Sequence, residues 1–222
     1  MEYVLTVDSD SDPECPLDSP RAWSFVSFHR HNRFFKDPPG LIRVGNGDVK
    51  AVDPGLRSKL RRGLAFVLEC YSHSETRYSL KGEGPQCRWD TAPVAGLLIW
   101  EHASNEMGAK SCEERAESAR LALAEYNAWA NGRVFGYSLA PADREASPDA
   151  ADSCWGFTDA AHMGDAVGRL LKAGDRVRVA GPGKDWFDAR GLPGGVEVAD
   201  GFGDRADEAV VVHPAGGGHR PW

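Results

Sequence analysis

The sequence predicts an α+β protein: an antiparallel sheet with helices packed on one face, followed by a small C-terminal β-rich appendage. Three observations carry this expectation. Short runs rich in β-branched and aromatic residues recur between Gly, Pro and Asp breaks. One long helical pattern stands in mid-chain, opened by a Ser–Glu capping pair. No strand leads through a glycine fingerprint into a helix, which argues against a dinucleotide-binding core.

The N-terminal "EYVLTV" (2–7) alternates apolar and polar residues and reads as a strand. The acidic, Pro-containing "DSDSDPECPLDSP" (8–20) cannot pack and reads as an exposed loop, with Ser19-Pro20 starting a single helical turn. "WSFVSFH" (23–29) alternates strictly, placing Trp23, Phe25 and Ser27 on one face. Residues 36–55 are broken by Pro-Pro, Asp-Pro and "GNG" and read as loop, and "LRSKLRRG" (56–63) as a short basic helix stopped by Gly63. "LAFVLECYS" (64–72), "TRYSLKG" (76–82) and the continuous apolar "VAGLLIWEH" (94–102) follow as strands, the last a central one.

Ser111 with Glu114 predicts the N-terminus of the longest helix, and Asn131-Gly132 its end. Its docking face should hold Cys112, Ala116, Ala119, Leu123, Tyr126 and Ala130. "RVFGYSL" (133–139) and "SCWGF" (153–157) read as strands around a flexible loop, "ADREASPDAAD", and "AAHMGDAVGRLLKAG" as a second helix. Three short strands end the chain in "DRVRVAG", "GVEVAD" and "EAVVVHP". The expected division is an α+β domain over 1–172, a β-rich, SH3-like appendage over 173–213, and a flexible tail over 214–222.

Charge is uneven along the 222 residues. The net charge is −7, yet residues 21–62 carry ten basic residues against three acidic ones. The acidic total argues against a dedicated binder of phosphate backbones. The longest apolar run, Ala92–Trp100, is nine residues, against about 20 for a membrane-spanning helix. The start carries no basic, cleavable leader pattern, and the five cysteines are odd in number and irregularly spaced. Reduced thiols in a cytoplasmic setting are therefore expected rather than a disulfide framework.

Candidate chemistry concentrates in a few residues. Cys70-x2-His73 and His29-x-His31 are spaced like half-sites for zinc, but strands send neighbouring side chains to opposite faces, and no metal is assigned. Cys87 or Cys154 could act as a thiol nucleophile, with His73 or His29 as base and Asp90 or Asp152 orienting it. Asp8-x-Asp10-x-Asp12 begins like a calcium loop, but Pro13 and Ser19 stand where Gly and Glu are required. No cofactor is expected. The basic stretch interleaves Trp23, Phe25, Phe28, Phe34 and Phe35 with cations; Arg21, Arg30, Arg33, Arg57, Arg61 and Arg62 are the candidates for a single-stranded nucleic-acid face.

Three motifs recur in a fixed order: "DSPRAWSFVSFHR" (18–30), "YSHS" (71–74) leading to "CRWDTAPVAGLLIW" (87–100), and "GRVFGYSL…DSCWGF" (132–157). Together they resemble a group of small proteins of tailed bacteriophages and prophages with D-S-P-R-x-W, C-x-W-D and D-S-C-W-G-F signatures. The resemblance covers about residues 1–160 and supplies a setting, the cytoplasm of a host bacterium, without a reaction. It picks out His29, His73, Cys87, Asp90, Asp152, Cys154 and Trp155. The chain departs from it at Thr91-Ala92-Pro93, where the group carries S-G-Q. The reading that follows is an accessory protein binding a host macromolecule, a protein, during infection. The alternatives are a Cys/His enzyme using Cys87 or Cys154 with His73, and a nucleic-acid binder through 21–62.

Overall fold

A computed structural model describes residues 1–18, 22–37, 40–44, 48–102, 111–143, 152–200 and 209–211. The fold is α+β, as expected, and the chain forms two compact units. Residues 14–131 form one; residues 1–13 and 132–222 form the other, so the former is inserted in sequence between two pieces of the latter. The expected turn at Ser19-Pro20, most of the loop after residue 142, and the tail from 214 lie outside the described residues.

The inserted unit is built on a four-stranded antiparallel sheet. It comprises β2 (Trp23–Ser27), β5 (Ala65–Ser72), β6 (Thr76–Leu80) and β7 (Thr91–Trp100), in the order β2-β7-β5-β6. The apolar run of β7 makes it central, with Val94–Leu98 buried between the layers. One face carries α2 (Cys112–Ala130). Trp23, Phe25, Leu68, Tyr78, Leu98 and Trp100 meet Ala119, Leu123 and Tyr126 there. The other face carries α1 (Pro54–Arg61) and the hairpin β3 (Leu41–Val44)–β4 (Asp48–Ala51), which cover Val26, Ala65 and Leu97. Helices therefore cover both faces of this sheet.

Helix α2 starts where the sequence predicts. The Ser111 hydroxyl accepts from the Glu114 N–H and the Glu114 carboxylate from the Ser111 N–H. Its docking face differs in part from the expected one. Ala119, Leu123 and Tyr126 are buried, whereas Cys112 and Ala130 are exposed. Arg115 is buried instead and donates to the carbonyls of Arg62 and Gly63, which leave the end of α1 without helical partners. The last two turns of α2 seal the edge strand β6. The Asn127 amide pairs with both backbone groups of Tyr78 at 2.8 Å, and the Asn131 amide with those of Thr76 at 2.9 and 2.8 Å.

The other unit holds a six-stranded mixed sheet in the order β12-β11-β10-β1-β8-β9. Its strands are β1 (Glu2–Ser9), β8 (Phe135–Pro141), β9 (Asp152–Phe157), β10 (Arg176–Ala180), β11 (Glu197–Asp200) and β12 (Ala209–Val211). Strand β1 pairs antiparallel with β8 and parallel with β10, so its Leu5 and Val7 are fully buried among Tyr137, Leu139, Val177 and Val179. Met163 and Val167 of α3 (Ala160–Gly168) join this core.

Two expectations are corrected here. The strands assigned to a separate appendage from residue 173 continue the β1 sheet, because β1 lacks a second partner until β10 supplies one. The stretch 36–55, expected to be loop, contains the β3–β4 hairpin.

Candidate functional site: the Cys87–Asp90 turn

Three of the residues that the motifs single out in the inserted unit, His73, Cys87 and Asp90, meet at the turn leading into β7. Its foundation is Glu69, in the middle of β5 and only 2% exposed. A buried carboxylate is costly unless its oxygens are hydrogen-bonded, and this one gathers the loop 81–86 around itself. The Gly82 N–H donates to Oε2 at 3.0 Å, the Gly84 N–H to Oε1, and the Gln86 side-chain amide to both at 3.1 and 3.0 Å. Gly84 is required by close approach: a Cβ there would overlap the Ser79 hydroxyl. On the outer side, Arg120 of α2 grips Glu83 with two 2.9 Å bonds and holds its carboxyl below the usual carboxylate range.

From this base the turn closes on itself. The Thr91 hydroxyl donates to the Pro85 carbonyl at 2.6 Å and accepts from the Cys87 N–H at 3.0 Å. The Thr91 N–H bonds the Cys87 carbonyl at 3.0 Å, and the Ser72 N–H of β5 bonds the Asp90 carbonyl at 2.8 Å. A serine hydroxyl could make the same two bonds.

The thiol, carboxylate and imidazole expected of an enzyme are neighbours here, in an order that does not make a catalytic triad. Cys87 Sγ donates to Asp90 Oδ2 at 3.2 Å, and His73 Nδ1 lies 3.6 Å from Asp90 Oδ1. The carboxylate stands between the other two groups. A nucleophilic thiol must pass its proton to a base within hydrogen-bond reach, and the hydrogen bond of Cys87 goes to Asp90 instead. His73 is 68% exposed, so its contact with Asp90 is open to solvent and weak.

Cys154 and Asp152 belong to the other unit, on the edge strand β9, where both are exposed. Beside them Trp155 lies against Gly136 of β8, where a Cβ would collide with the indole.

His29 is oriented by a different network. Its Nδ1 lies 3.4 Å from the Tyr78 hydroxyl, which also bonds Ser27 Oγ at 2.9 Å and Asn32 Nδ2 at 3.4 Å. Half-buried there, its imidazole has a lowered pKa through desolvation. Cys70 is buried beside the same tyrosine, and burial pushes its thiol up to about 11. His31 is exposed. Among the described residues, no three His, Cys, Asp or Glu side chains are placed to hold a metal ion.

The expected nucleic-acid face is dispersed. Trp23 and Phe25 are buried in the α2-side core rather than displayed for stacking. Arg33 pairs with Asp18 and lies over Phe34 and Trp129 on that same side, whereas Arg57, Arg61 and Arg62 belong to α1 or its end, against the opposite face of the sheet. Arg30 is exposed in the turn after β2, and Arg21 lies outside the described residues. A hollow of ≈ 440 Å³ in the inserted unit is lined by Leu17, Trp23, Phe25, Arg33, Phe34 and His102 among others, and by none of His73, Cys87 and Asp90.

The side chain that this construction presents to solvent is one the residue-type reasoning used only as context. Trp89, at the tip of the turn, is 84% exposed, and the Arg88 guanidinium sits 5.2 Å from its ring centroid. The signal available in the sequence is a glutamate within an otherwise apolar strand, followed by a Gly-x-Gly-Pro turn. Among the described residues no helix is long and apolar enough to cross a membrane. Comparison of the chain with protein-family models, with curated proteins and with solved structures finds no match.

Proposed function

We propose that the protein is a phage-encoded accessory protein, acting in the cytoplasm of a host bacterium, that binds a host protein through the Trp89 turn. The phage setting comes from the motif resemblance, and the mode of action from one observation. A tryptophan 84% exposed at the tip of a loop held by a buried carboxylate is a prearranged anchor. Exposing a large aromatic ring to water is unfavourable, and a partner pocket that covers it recovers ~1.5–3 kcal/mol. Tryptophan and arginine are the residues most often found as interface hot spots. Because Glu69 and Thr91 have already ordered the loop, little conformational entropy is lost when it docks.

The test is affinity capture from host cells with the tagged wild-type chain and its Trp89→Ala variant in parallel. A single stoichiometric host protein, recovered by the wild type and lost from the variant, supports the reading. Background alone, or equal recovery with both baits, overturns it.

A further inference from the structure

Resting on the Trp89 reading above, we infer that the partner's site is an apolar slot rimmed by carboxylates, so that the turn recognises an acidic protein segment. The argument is one of local charge. Arg88 stacks on Trp89 and forms no ion pair with any described residue. The two acidic side chains nearest to it along the chain, Asp90 and Glu83, are already engaged. Glu69 is buried beneath the loop, Glu83 is held by Arg120, and Asp90 faces Cys87 and His73. Arg77 of β6 and Thr91 of β7 both pair with Tyr71 on β5, which puts a second exposed arginine on the Thr91 side of the sheet. The tip of the turn therefore offers one aromatic ring with an uncompensated guanidinium laid over it.

A guanidinium stacked on an indole keeps its N–H fork free at the edge, where a carboxylate can be bound in bidentate fashion. Single-stranded nucleic acid would also stack on tryptophan, but it needs successive rings and a track of cations. Here the other arginines are divided between two faces of a sheet, and the chain carries a net charge of −7 that a long polyanion would have to cross. An acidic slot engages the turn alone, and more distant charges are screened beyond about 8 Å.

The probe is a library of random 12-residue peptides, selected on the intact chain and then measured as labelled synthetic peptides by fluorescence anisotropy. A dT12 oligonucleotide is titrated alongside. The expected result is enrichment of Asp and Glu around an apolar residue, with binding lost in Trp89→Ala. Binding should fall by about tenfold or more in Arg88→Glu and less in Arg88→Lys, because reversal of an interfacial charge turns attraction into repulsion. Enriched peptides without acidic residues, or equal affinity for Arg88→Glu, would sink the charge argument while leaving Trp89 as an anchor. Peptides that bind Trp89→Ala as well as wild type, or no enrichment at all, would overturn both. Tighter, Trp89-dependent binding of dT12 would replace the protein partner with a nucleic acid.

Discussion

Replacing Glu69 by glutamine changes one heavy atom and should loosen the loop that carries Trp89. The carboxylate uses its two oxygens separately: Oε2 accepts from the Gly82 N–H and Oε1 from the Gly84 N–H, while the Gln86 amide spans both. A glutamine has a single carbonyl oxygen, so whichever way it turns, one of the two backbone donors faces an NH2 group. One charge-assisted hydrogen bond is lost, worth about 1.5–3 kcal/mol, and the surviving one weakens to a neutral bond. Taking ~2 kcal/mol for the loop, its open population should rise by about 30-fold. Amide hydrogen exchange reads this directly: the Gly82 or Gly84 amide should exchange about 30-fold faster in Glu69→Gln, with the amides of β7 little changed. If both glycine amides keep their wild-type rates and the urea midpoint stays put, the carboxylate is not what holds the loop.

Three further outcomes follow from the same interactions. Desolvation lowers the His29 pKa in the folded state, so the unfolded chain takes up a proton first as pH falls. Stability should therefore be full above about pH 6.5, the ordinary histidine value, and decline below it until the folded-state pKa is passed. His29→Asn, whose Oδ1 can accept from Tyr78 in place of Nδ1, should flatten that decline in urea titrations at pH 7.5 and 5; an unchanged slope would assign it to another histidine. Among the thiols, exposed Cys112 and Cys154 should react quickly with an aromatic disulfide reagent. Cys15 and Cys70, both buried and with raised pKa, should react only after unfolding, and rapid modification of Cys70 would contradict its place in the core. Arg115→Met keeps the aliphatic stem but removes the donors to the Arg62 and Gly63 carbonyls, and should cost about 2–4 kcal/mol by urea denaturation. A loss below ~0.5 kcal/mol would show that water serves those carbonyls equally well.

The elements that were legible share a physical basis: their signal is local. The Ser111–Glu114 pair, the alternation of Trp23, Phe25 and Ser27, and the uninterrupted apolar run of β7 each act within a few residues of chain. The β3–β4 hairpin is not legible although "GNG" lies between its strands, because the Pro-Pro and Asp-Pro breaks around it signal loop throughout. The buried face of α2 departs from the periodic pattern at Arg115. Helical periodicity ranks a charged residue as exposed, and only the carbonyls left at the end of α1 make its burial favourable.

The amino-acid sequence alone determined where most of the strands and the main helix lie, which thiols and imidazoles are present, and that Cys87, Trp89 and Asp90 are near neighbours in the chain. Tertiary structure decided the rest. It divided the chain into units that the linear order conceals, because β1 finds its parallel partner β10 only after the whole inserted unit has passed. It also set Asp90 between Cys87 and His73, and placed a buried glutamate from a neighbouring strand beneath the loop. Pairing across strands depends on contacts between residues far apart in sequence, and local pattern carries no record of which partners will meet.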